Sequence, residues 1–213
     1  QTEEYMAELQ NSSLLLHGVN EDIVRRIYSD NLLARKTFEA ITLNVDTDIP
    51  DEEAAQHKFY TIAIRNFKIN SSGNRVSYEG TEQEELRARV ESLRKQGVET
   101  EDFYKLAAAN TEDSTMLEIT AGKGDFPKEY EDTVLALTEN QVSEVIETTD
   151  YYYIFYCVTD FDVDATHAKK EEIIADRQEK EFQTRYKEWR GTTHIEVNEE
   201  IWDALDFDME SVG

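Results

Sequence analysis

The chain has 213 residues, 39% of them apolar, and a net charge of −25 at neutral pH. That length holds one ordinary domain with a smaller lobe, and eleven Tyr with nine Phe argue for a packed core over a disordered chain. The acidity makes nucleic acid and anionic lipid surfaces poor partners, because phosphate would be repelled everywhere, and it serves solubility in any case.

Residues 1–44 read as helices. Tyr5, Met6 and Leu9 open one, Leu14-Leu15-Leu16 extends or follows it, and Gly18 breaks it. Asn20 is a good N-cap, with Glu21 and Asp22 at the positive end of the next helix. Ile23, Ile27, Ala34, Phe38 and Ile41 then mark one face of a long amphipathic helix that needs a partner. Val45 to Glu53, with Pro50 inside it, is a charged linker and a domain boundary.

Phe59 to Ile69 alternates apolar and polar residues and reads as the first strand, and Ser71 to Asn74 as a loop. Thr81 followed by Glu84 is a capping-box pattern for a helix running to Gln96, with Leu86, Val90 and Leu93 on its core face and Gly97 as its stop. Thr100 caps a shorter helix containing Phe103, Leu106 and Ala107. Asp125 caps another, with Pro127 in its first turn and Phe126, Tyr130, Val134 and Leu137 on one face. Gln141 to Ile146 is a short extended piece, and Thr148-Thr149-Asp150 turns the chain. Tyr151 to Val158 has no polar face, so it reads as a central strand covered on both sides. Asp164 caps a last long helix through Trp189, which returns to pack on residues 1–44. His194 to Val197 reads as a short strand, with Trp202, Leu205 and Phe207 patching the helical lobe.

One cysteine excludes an internal disulfide, and Cys157 sits mid-strand, where a buried and inert thiol is expected. No apolar run reaches transmembrane length. Gln1 in first place points to a trimmed or mature chain, which leaves room for an export signal or lipid anchor ahead of it. His57, His167 and His194 lie apart on polar stretches and read as surface histidines. Asp160, Asp162, Asp164 and Glu171 have the ligand spacing of a calcium loop, but Ala165 stands where its sharp turn calls for glycine. No metal and no cofactor is expected.

The order helix, short step, strand from Asp125 to Val158 resembles the C-terminal half of a parvulin-type peptidyl-prolyl isomerase. Glu129-Tyr130-Glu131-Asp132 and Leu135-Ala136-Leu137 stand at the family's Phe-Glu-Asp and Phe-x-Leu positions, and Gln141 to Ile146 at its Ser-x-Pro-Val step. Gly97 to Ala107 matches the Gly-x-Asp-Phe-x-x-Leu-Ala step, while Glu118 to Gly122 replaces the family's glycine turn. Asp51 to Ala54 resembles the acidic helix start ahead of the isomerase module in PrsA- and SurA-type foldases. The resemblance implies an α+β fold: a small antiparallel sheet with helices over 51–161, inserted in an all-α chaperone lobe formed by 1–50 and 162–213.

The same resemblance implies the site. Asp113 stands at the family's Cys/Asp position, Phe126 at its pocket Met and Tyr130 at its pocket Phe, with Leu135 beside them as a substrate contact. The two family histidines fall on Thr61 and Tyr153, the second moving to Ile154 with a one-residue shift. Asp113, Thr61 and Tyr153 are then the catalytic candidates. Phe126 and Tyr130 also fit as plain core aromatics at helical spacing.

Two functions of different classes follow from the resemblance. One is an extracytoplasmic isomerase and foldase-type chaperone acting on unfolded, proline-containing exported chains, with catalysis weakened or lost along with the histidines. The other is a non-catalytic holdase in which the module only binds peptide. An acidic calcium-binding surface protein is a third reading, resting on charge and the aspartate spacing alone.

Overall fold

The computed structural model describes residues 20–194, 196–199 and 202. Helix α1 (Glu21–Thr42) is followed by the short α2 (Asp51–Ala54), strand β1 (Gln56–Arg65) and a hairpin of β2 (Phe67–Ile69) and β3 (Arg75–Ser77). Helices α3 (Thr81–Glu99) and α4 (Phe103–Asn110) lead through a 3₁₀ turn at Ser114–Met116 to β4 (Glu118–Gly122). Helix α5 (Lys128–Leu135), strands β5 (Ile146–Glu147) and β6 (Tyr151–Thr159) and helix α6 (Val163–Thr192) complete the order. The residues form two units, one spanning Thr47–Ala175 and the other taking residues up to Asp46 and from Asp176 onward.

The fold is α+β. In the first unit the strands run in the order β4-β1-β6-β5, all antiparallel. β6, apolar on both faces, is an inner strand beside β1. Its Tyr152 and Ile154 join Ile62, Ile64, Leu86, Val90, Leu93 and Phe103 in a core under α3 and α4. Its Phe155 and Cys157 face the other way, into a core with Phe59, Ala121, Phe126 and Val134. Burying each such phenylalanine contributes about 1.5–3 kcal/mol. In the other unit Phe38 of α1 meets Phe182 of α6 with ring centroids 5.4 Å apart, and Asn20 caps α1 by accepting the Ile23 N–H.

Several local expectations are corrected. β1 starts at Gln56 and stops at Arg65, because Asn66 turns the chain: its N–H donates to the Asp150 carbonyl and its side-chain amide to that of Thr148. Gly97 does not end α3. It lies buried inside it, where a Cβ would come 2.8 Å from the Phe103 ring, so close helix–helix packing is what requires glycine there.

The helix caps shift by a few residues. Gly80, at φ 55, takes the cap position of α3, and Thr81 is already helical. Asp102 caps α4 by accepting the Lys105 N–H, while Thr100 accepts from Asp102. Asp125 accepts the Gly122 N–H and closes the turn before α5, leaving Pro127 at the cap. Asp162 accepts the Ala165 N–H at the start of α6, in place of Asp164.

His57 is half-buried, against the expectation of a surface histidine. It is part of β1, stacked on Phe59 at 5.7 Å, with Nδ1 buried and without a hydrogen-bond partner. Desolvation lowers its pKa, opposed by Asp160. His194, Glu196 and Val197 lie in no strand. Tyr5 to Leu16, Leu205 and Phe207 lie outside the described residues. No helix among those described is long and apolar enough to cross a membrane.

Candidate functional site

The sheet face bearing Phe59, Thr61 and Ala63 on β1 and Tyr153, Phe155 and Cys157 on β6 sets the site. The register pairs Phe59 with Cys157, Thr61 with Phe155 and Ala63 with Tyr153. Helix α5 covers part of this face. Phe126, just before it, stands edge-on to Phe155 at 5.6 Å and to Phe59 at 6.0 Å, contacts worth about 0.5–1.5 kcal/mol each beyond burial. Tyr130 continues the aromatic layer, 6.0 Å from Phe126 and 6.2 Å from Tyr153.

Beyond Tyr130 the cover ends, and a cleft of about 590 Å³ opens. Pro127, Glu129 and Tyr130 form one wall, and residues 146–151 with Tyr153 form the other. Tyr151 and Tyr153 stack along that wall at 5.6 Å. Burial pushes the Tyr153 phenol up to about 12, with smaller contributions from Tyr130 and then from the carboxylate of Asp113. Burial also raises Tyr130, with Glu129 adding to it. Both phenols therefore stay protonated and able to donate at neutral pH.

The other candidates lie behind or beside this wall. Thr61 is fully buried, and its Oγ1 has no hydrogen-bond partner. Phe126 is buried in the aromatic layer, and Leu135 is half-buried against the same core; neither lines the cleft. Residues 111–117 extend the β4 edge along β1: Ala63 N–H donates to Thr111 Oγ1, Glu112 N–H to the Ala63 carbonyl, and Thr61 N–H to the Leu117 carbonyl. This sets Asp113 near Ala63, on the strand position opposite Tyr153. Its carboxylate accepts the N–H and the hydroxyl of Thr115. Tyr130 and Tyr153 thus meet at the cleft, Asp113 lies on the β1 side with its carboxylate hydrogen-bonded to Thr115, and Thr61 and Phe126 are buried behind the wall.

Thr148-Thr149-Asp150 reads in the sequence only as a turn, yet it forms a cleft wall. The turn is braced from two sides. Arg87 of α3 donates to the Tyr152 hydroxyl and to the Glu147 carboxylate, which also accepts from Tyr152. On the other side Arg75 of β3 pairs with Asp150 and lies over the Phe67 ring. The acidic residues before and after the Thr pair were the available signal, each matched by an arginine far away in the sequence. Asp162 is committed to its helix cap, and no group of His, Cys, Asp or Glu able to hold a metal ion occurs among the described residues.

A family model for the PPIC-type PPIase domain matches residues 50–159. The chain belongs to the PPIC-type PPIase family. No curated protein matches it. Among solved structures, this PPIC-type PPIase is similar to a peptidylprolyl isomerase (PrsA) from Bacillus cereus at 18% identity, covering 92% of this chain and 75% of that one, with a TM-score of 0.41. It is also similar to the foldase protein PrsA from Streptococcus pneumoniae (16% identity, 92% and 77% covered, TM-score 0.38) and to PrsA from Bacillus subtilis (15%, 93% and 77%, TM-score 0.38). The matched PPIC-type PPIase domain begins at the cap of α2 and ends with β6, so it encloses the whole cleft and its bracing arginines.

Proposed function

We propose that the chain is a foldase-type chaperone that binds proline-containing segments of unfolded, exported polypeptides in the Tyr130–Tyr153 cleft, with weak or lost isomerase turnover. Membership of the PPIase family makes polypeptide the substrate class. The extracytoplasmic setting rests on the motif resemblance to PrsA- and SurA-type foldases alone.

Rotation of a prolyl bond must cross a barrier of roughly 18–20 kcal/mol, set by loss of amide resonance. The tyrosine faces suit a proline ring, and the Tyr153 hydroxyl is a donor for an amide whose conjugation is breaking. The observation that carries the reading is Thr61. A central position of the sheet face holds a short, fully buried hydroxyl with no partner, so it neither reaches the cleft nor passes polarity to Tyr153. Weak phenol donors then stand in place of a paired polar arrangement. Each 1.4 kcal/mol of transition-state stabilisation lost costs tenfold in rate, whereas peptide affinity draws on apolar burial and survives.

The test measures both activities on one preparation: suppression of aggregation of an unfolded client, and protease-coupled isomerisation of a short prolyl peptide. Suppression with little turnover is the expected result. Turnover without any hold on unfolded chains would overturn the reading.

A further inference from the structure

The cleft combines aromatic faces with carboxylates, and no lysine, arginine or histidine lines it. Tyr130, Tyr151 and Tyr153 present rings to it, two of them stacked. Glu129, Glu147 and Asp150 stand on its walls. Arg87 and Arg75 pair with Glu147 and Asp150 from behind, which fixes those two carboxylates and offsets part of their charge. Glu129 is exposed and makes no ion pair among the described residues. A cation entering the cleft would therefore meet ring faces and an uncommitted carboxylate together, the two features that attract ammonium and guanidinium groups. An anion would meet like charge on both walls.

We infer that the cleft selects prolyl segments carrying a lysine or arginine next to the proline and rejects those with an acidic residue or a phosphate there. This rests on the cleft being the prolyl-peptide site, and it adds the class of segment taken. The proline ring packs on the tyrosines, the neighbouring cation lies against a ring face, and its charge is answered by Glu129. Because Glu129 is exposed, the selectivity is sensitive to salt.

Fluorescence anisotropy on the full chain tests this with labelled peptides identical except for Lys, Ala or Glu on either side of one proline. The expected order of affinity is Lys, then Ala, then Glu, with about a tenfold spread at low salt that narrows as salt rises. Glu129→Gln, a surface change that leaves the core alone, should shrink the spread by about threefold. Equal affinities for the three peptides would overturn the inference and leave the prolyl-binding reading standing. A spread unchanged by Glu129→Gln would trace the preference to the net charge of −25 and also overturn it. Failure of every peptide to bind would remove the underlying reading, and the inference with it.

Discussion

The rings of Tyr130 and Tyr153 lie 6.2 Å apart, one on α5 and the other on β6, where the aromatic layer of the module gives way to the cleft. Both rings are half-buried, and both residues line the cleft. A residue so placed packs on the core with one side and offers the other to an apolar ligand.

Tyr130→Ala should weaken binding of a prolyl peptide by about 1.4–2.8 kcal/mol, roughly ten- to a hundredfold, from lost apolar contact. Peptide titration by anisotropy checks this, with circular dichroism to show that the fold is kept. Phe126→Ala is a poorer probe of binding, since truncating a buried phenylalanine costs about 3–5 kcal/mol of stability.

Stability should fall as pH rises from the ordinary tyrosine value of 10 toward about 12. In that window the folded chain keeps the Tyr153 proton that the unfolded chain releases, so the unfolded state binds fewer protons and gains. Urea midpoints measured across the window should drop for the native chain and drop less for Tyr153→Phe. Parallel slopes for the two proteins would contradict the burial of this phenol.

Thr61→Val should stabilise the module by about 1 kcal/mol, because it replaces a buried, unpartnered hydroxyl with a methyl of the same shape. The reading is a higher urea midpoint at unchanged slope. A loss of stability would mean that the Thr61 Oγ1 has a partner.

Gly97→Ala should destabilise, although alanine ordinarily gains about 1 kcal/mol over glycine within a helix. The new Cβ meets the Phe103 ring at 2.8 Å, and Phe103 is itself buried, so the ring has nowhere to go. Thermal unfolding checks the sign, and a raised melting temperature would contradict the packing described for α3 and α4.

Much of this was legible in the chain. The two apolar faces of Tyr151–Val158 announce an inner strand, and Tyr152 and Tyr153 do enter opposite cores. Capping residues were found but assigned to near neighbours, because Asp162 and Asp164, or Thr100 and Asp102, present equivalent oxygens within a turn. Gly97 read as a stop since sequence alone does not show the ring packed against it. The cleft was half legible. Tyr130 and Tyr153 came from motif position, whereas the bracing of residues 147–151 by Arg75 and Arg87 depends on pairs 60 to 75 residues apart. His57 reads as a surface residue because its polar neighbours hide a strand register that turns it toward Phe59.

The protease-coupled isomerisation rate of the unmodified chain on a short prolyl peptide bears most directly on the proposed function. With Thr61 buried away from the cleft and only neutral hydroxyls, those of Tyr130 and Tyr153 among them, to donate there, the account predicts a rate close to the uncatalysed one, changed little by Asp113→Ala. A rate comparable to that of histidine-bearing parvulins, abolished by Asp113→Ala, would contradict it.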